Sequence, residues 1–188
     1  MWPFKKKPRL SGIEQHPNGE VSFTFTAEEQ AEIDSFFQII MGESSQLTGQ
    51  STLYIHPEAH ETLTASALIL YARSQVMLSE TADKNVVDKD QCIVKALTAA
   101  TKAYSLHSLP IYMLDIASLF EMLRDTASAQ EAFRSFLELQ KAFQPSDVDR
   151  IALRERDVEK AIRQAESPLQ AVAATPSALR LVCVRTSS

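Results

Sequence analysis

The sequence predicts a mostly α-helical protein of stacked helical hairpins, with a small strand–helix element in front and a capping helix behind. Three observations carry that prediction. Apolar residues recur at three- and four-residue steps through six stretches, the spacing that puts them on one face of a helix. Two of those stretches repeat each other's pattern about 36 residues apart. The clearest alternation with a period of two, the mark of a half-buried strand, is confined to Val21, Phe23 and Phe25 with Ser22, Thr24 and Thr26 between them.

The bulk properties fit. At 188 residues the chain suits one domain with appended ends and can bury a core. It is 23% charged and 45% hydrophobic, ordinary for a globular protein, and its four glycines favour helix over sheet. A net charge of −5 gives no basic surface for nucleic acid. Cys92 and Cys183 lie far apart and outside any CxxC spacing, which is no disulfide framework and points to a reducing cytoplasm. No apolar run reaches the roughly 18–20 residues of a membrane-spanning helix.

Residues 1–19 are expected to form a flexible basic and aromatic segment. Lys5, Lys6, Lys7 and Arg9 face no acid there, leaving residues 10–188 with a net −9. Trp2 and Phe4 beside Lys5, Lys6 and Lys7 have the chemistry of a lipid-headgroup contact, which defines the rival function of a peripheral membrane accessory protein. Residues 20–56 read as a strand–helix–loop element. Pro17, Asn18 and Gly19 mark a turn, and the strand follows it. Thr26 and Glu29 form a capping box that opens a helix through Ile33, Phe36, Phe37, Ile40 and Met41, with Gly42 as its stop. The strand needs a partner, for which residues 52–56 (TLYIH) and 179–185 (LRLVCVR) are the two candidates.

Residues 57–166 read as the helical domain. Pro57 takes the first position of a helix reaching about Leu78. A charged connection over 81–89 leads to a third helix near 90–106. Two further helices fill 111–145, joined by a polar turn in which Asp125 or Thr126 caps the second. Ser146 caps a last helix to about Ala165, with one apolar stripe and a charged remainder, as a terminal helix of a stack should have. Residues 167–188 are expected to be a loose tail, with a strand over 179–185 as its ordered part.

The repeat is the most specific feature. Shifting by 36 residues lays Ala96 on Ala132, Ala100 on Phe136, Ala103 on Leu139 and Leu106 on Ala142, and Pro110 and Pro145 close the two units. Ile116, Leu119, Phe120 and Leu123, then Ala132, Phe136 and Pro145, resemble the tetratricopeptide repeat pattern, with Phe120 standing where that family has a small residue. A weaker unit resembles it over residues 64–110 through Ala67, Leu70, Tyr71, Ser74, Ala96 and Ala100. The resemblance implies a superhelix of hairpins whose first helices line a groove for a partner's peptide segment. By register the groove-facing residues would be Leu114, Ala117, Glu121 and Arg124, with Ala65, Leu68, Ala72 and Gln75 from the weaker unit.

No stretch announces catalysis. His56 and His60, with Glu58 and Glu61, have the spacing of two metal ligands but neither an HExxH order nor a third ligand, so a small helical metalloenzyme is the third reading and no cofactor is expected. Cys92 beside Ile93 reads as a small buried residue, and the acids are spread over solvated faces. The sequence therefore predicts a non-catalytic cytoplasmic interaction module, an adaptor or chaperone-like protein that binds another protein.

Overall fold

The computed structural model describes residues 12–18, 20–48, 57–82, 88–144 and 158–174. Two strands, β1 (Ile13–Gln15) and β2 (Val21–Phe23), precede six helices: α1 (Ala27–Thr48), α2 (Pro57–Thr81), α3 (Lys89–Leu106), α4 (Pro110–Met122), α5 (Thr126–Ala142) and α6 (Val158–Ala174). Neighbours in sequence are neighbours in space: α1 packs on α2, α2 on α3, α3 on α4 and α4 on α5, while α6 lies on α5 and α4. The mostly helical fold with a terminal helix is as expected.

The largest helix contact, α2 against α3, rests on small residues. Ala65, Ala67 and Ala72 of α2, with Ala96, Ala99, Ala100 and Ala103 of α3, are all buried. Alanine costs no side-chain entropy in a helix and lets two axes approach closely. Thr98 and Thr101 sit in the same buried surface because their hydroxyls donate to the carbonyls of Val94 and Leu97, at 2.9 and 2.8 Å. Large side chains are fully buried on both helix pairs: Leu68 and Tyr71 of α2 and Leu97 of α3, then Met113, Ile116 and Phe120 of α4 and Phe133 and Phe136 of α5.

Nine of the thirteen α4 residues are buried, so it needs cover around most of its circumference, and the less buried Asp115, Ser118, Glu121 and Met122 share the remaining side. The helices packed on it are α3, α5 and α6. Pro110 starts it at a position where a missing N–H is harmless. Asp125 begins α5 by accepting from the Ser128 N–H at 3.1 Å and the Ser128 hydroxyl at 2.7 Å. Asp88 does the same for α3, accepting from the N–H groups of Asp90 and Gln91.

Three expectations are corrected. The partner of the N-terminal strand is neither candidate but the segment before the turn: Ile13 pairs with Phe23, Glu14 with Ser22 and Gln15 with Val21, antiparallel. Residues 52–56 and 179–185 lie outside the described residues. Gly42 does not stop α1, which runs on to Thr48; its φ is not positive, so it makes no left-handed cap. Pro168 does not end the last helix, which continues to Ala174. Ala161 and Ala165 are buried and Leu169 packs half-buried behind them, so the apolar row at four-residue steps holds the turn beyond the proline. The start expected at Ser146 lies outside the described residues.

Two stability measurements follow. Around Gly42 an added methyl group would meet open space, so Gly42→Ala should stabilise by about 0.5–1 kcal/mol in urea unfolding. Ala100→Leu forces three carbons into the α2–α3 seam and should destabilise by about 1–3 kcal/mol in the same assay.

Candidate functional site

Six of the eight residues expected to line a groove are in the interior. Ala65, Leu68, Ala72 and Gln75 of α2 are buried, as are Leu114 and Ala117 of α4. For α4 the cause is visible. Gln164 of α6 donates to the Ser118 hydroxyl at 3.4 Å, and Ser118 sits one turn from Leu114, to whose carbonyl its hydroxyl donates. The terminal helix thus lies over the face that carries Leu114, and the chain fills with its own helix the surface expected to receive a partner. Glu121 and Arg124 lie beyond that cover and are exposed.

Those two residues sit at the α4–α5 corner. There the Arg124 N–H donates to the Glu121 carbonyl and the Asp125 N–H to the Phe120 carbonyl, both at 2.9 Å. This pair of bonds closes a helix end when the residue after the cap turns left-handed. Glycine is favoured at that position, yet Arg124 occupies it at φ 60°. Met122, 40% exposed, adds an apolar contact between Glu121 and Arg124. A three-residue turn between two packed helices holds this small patch rigid. Sequence reasoning found its two charges by register but missed Met122, which it placed on the buried stripe.

A second polar cluster lies where the hairpin and α1 meet α2 and α3. The Thr26 N–H donates to Glu29 Oε2 at 2.8 Å and the Glu29 N–H to Thr26 Oγ1 at 3.2 Å, closing the capping box read from the sequence. The free oxygen of Glu29 takes an ion pair from Lys95 Nζ at 2.9 Å, which no local pattern could show because 66 residues separate the two. Gly12, at φ +88°, lets the hairpin approach α3: a Cβ there would stand 3.3 Å from Thr98 Cγ2. Its carbonyl accepts from the Thr24 N–H at 2.8 Å. Phe25 meets Tyr71 edge-on at 6.5 Å, and Lys102 Nζ lies 4.9 Å from the Phe25 ring centre. A cavity of about 390 Å³ opens here, bounded by Gly12, Thr24 and Phe25 on one side and by Glu29, Lys95 and Thr98 on the other.

The electrostatics of this cluster serve its packing. Burial raises the Glu29 pKa, but the Thr26 N–H and the Lys95 ammonium outweigh it and hold the carboxylate below its ordinary value. The hydrogen bond to Glu29 raises Lys95 in turn. Burial first, and then the carboxylates of Glu29 and Glu32, push the Tyr71 phenol well above its usual range. Burial raises the Cys92 thiol as well and lowers Lys102. A buried thiol kept protonated is a poor nucleophile, and the raised Tyr71 phenol keeps its proton at neutral pH.

Of the residues weighed for a metal, His60 is exposed; its Nδ1 lies 3.4 Å from the Thr64 hydroxyl and its ring 5.2 Å from that of Phe37. His56 lies outside the described residues, and among those described no three His, Cys, Asp or Glu side chains cluster as metal ligands. Trp2, Phe4, Lys5, Lys6, Lys7 and Cys183 also lie outside the described residues. No helix among those described is long and apolar enough to cross a membrane. No family model matches this chain, and neither a curated protein nor a solved structure does.

The Glu29–Lys95 pair gives a pH-dependent prediction. A carboxyl depressed in the folded state stabilises fully above its unfolded pKa and loses that contribution as pH falls through the folded value. Glu29→Gln should therefore lower stability by roughly 1 kcal/mol at pH 7. The gap to the parent chain should close as pH falls below 4.5, the ordinary carboxyl value, with thermal unfolding at pH 7 and pH 3 as the measurement.

Proposed function

We propose that this chain is a non-catalytic protein-interaction module, an adaptor or chaperone-like protein of divergent tetratricopeptide-like design, which takes a peptide segment of its partner at the α4–α5 corner. The observation that carries the reading is Arg124. Its backbone holds a left-handed conformation that costs a non-glycine residue roughly 1 kcal/mol. Its side chain is exposed and makes no bond within the described residues that offsets the cost. A guanidinium held outward on a rigid corner, beside an exposed methionine and a carboxylate, suits a peptide with an acidic group next to an apolar one.

The tetratricopeptide-like part of the proposal rests on the α4–α5 hairpin. Of the residues compared with that pattern, Ile116 and Leu119 of α4 and Ala132 and Phe136 of α5 are buried, as is Phe120 where the family has a small residue, Leu123 is half-buried and Pro145 lies outside the described residues. The partner surface is smaller than the groove that register alone implies. It shrinks to Glu121, Met122 and Arg124, since Leu68, Ala72, Gln75, Leu114 and Ala117 belong to the interior.

One substitution separates the fold from the function. Arg124→Gly relieves the backbone and should leave stability unchanged or raise it by about 0.5–1 kcal/mol. The same change should reduce partner capture by tenfold or more when tagged chains are used to pull proteins from a lysate of the source cells and the catch is quantified by mass spectrometry. Undiminished capture of every specific partner by Arg124→Gly and by Glu121→Lys would sink the corner as the contact.

A further inference from the structure

Among the described residues α1 is seated more shallowly than α2, α3 or α4. Of its residues 27–42, Ile33 alone is buried, whereas α2, α3 and α4 each bury nine. Phe36, Phe37 and Ile40 rest half-buried on the core, and Ile39 is 54% exposed. The attachment is latched by polar contacts. Glu29 is paired with Lys95, whose side chain is 43% exposed and so open to water and salt. Glu32 accepts from the Ser74 hydroxyl at 2.9 Å. Few buried apolar contacts and exposed polar ones are the marks of an element that opens locally while the rest stays folded.

The seat beneath α1 has a definite chemistry. It offers an ammonium at Lys95 of α3, a hydroxyl at Ser74, an imidazole at His60 against a phenyl ring, and the surface of α2. Its occupant answers with five acids and no basic residue over 22 positions, two adjacent phenyl groups and a capping box that starts the helix at the ion pair. We propose that this seat is a helix-docking groove with α1 as its occupant in cis, and that an acidic amphipathic helix of a partner takes the same place when α1 lifts away. The inference rests on reading the chain as an interaction module and adds a second contact, distinct from the α4–α5 corner, together with the kind of segment it accepts.

A tethered occupant competes at an effective concentration near millimolar, so a helix added in trans must meet a chain whose own latch is weakened. The test uses the full chain and a fluorescein-labelled synthetic peptide of residues 24–42. By hydrogen exchange, amides of residues 30–40 should exchange at least tenfold faster than those of α4; equal rates overturn the proposal. In fluorescence polarisation, the chain carrying Glu29→Ala should bind the unaltered peptide about tenfold more tightly than the parent chain does. A peptide carrying the same substitution should bind that chain about tenfold more weakly than the unaltered peptide. Absence of saturable binding to the altered chain, with its circular dichroism intact, also overturns the proposal; should Glu29→Ala unfold, Glu32→Ala loosens the other latch from the α1 side for the same comparison. Neither readout involves an unidentified partner, so its failure leaves the reading of the α4–α5 corner untouched, and failure of that reading leaves this result standing.

Discussion

The need to cover α4 governs the architecture. A helix that buries nine of its thirteen residues needs neighbours around most of its circumference. α3 and α5 supply two flanks, and a third must come from elsewhere in the chain. α6 provides it, with Ala161 and Ala165 buried and Gln164 reaching the Ser118 hydroxyl. The consequence reaches function directly. A surface that would be a partner groove in an open stack is here an internal interface, because leaving Leu114, Ala117 and their neighbours in water would forfeit roughly 1.5–3 kcal/mol for each large side chain. What α4 can still offer to another molecule is its end, where Glu121 and Met122 run out from under the cover.

The α2–α3 seam meets the same requirement in a different way. Ala65, Ala67 and Ala72 of α2 and Ala96, Ala99, Ala100 and Ala103 of α3 are buried beside the larger Leu68, Tyr71 and Leu97. On the α4–α5 side Phe120, Phe133 and Phe136 are buried in turn. The 36-residue likeness between α3 and α5 repeats a periodicity without repeating a volume: Ala100 is matched by Phe136.

Helix existence was legible because periodicity reports which residues are apolar, and caps such as Asp88, Asp125 and Thr26–Glu29 are local chemistry. What was illegible was non-local. Register could place Leu114 on a face of α4, but not say that α6 would lie on it. β1 is three residues long, too short for an alternation to stand out, although the Pro17–Asn18–Gly19 turn was the signal that a hairpin partner lay just upstream. Gly42 and Pro168 misled for opposite reasons. A glycine marks a helix end only when the backbone turns left-handed there, and a proline ends a helix only when nothing buried lies beyond it. Lys95 carried no local sign of its pairing with Glu29.

The polar features of the molecule divide by what they do for the fold. Glu29, Lys95 and Ser74 are bonded to other parts of the chain, and their chemistry is consumed in seating α1. The Tyr71 phenol and the Cys92 thiol are buried and held neutral, which suits packing and removes them from reactivity. Arg124 differs from all of these. Its backbone carries a strain that glycine would not, and its exposed guanidinium holds nothing together within the described chain. Among the described residues Arg124 is the one non-glycine residue with a left-handed backbone, and a partner contact at this corner is proposed because that strain sits beside an exposed side chain.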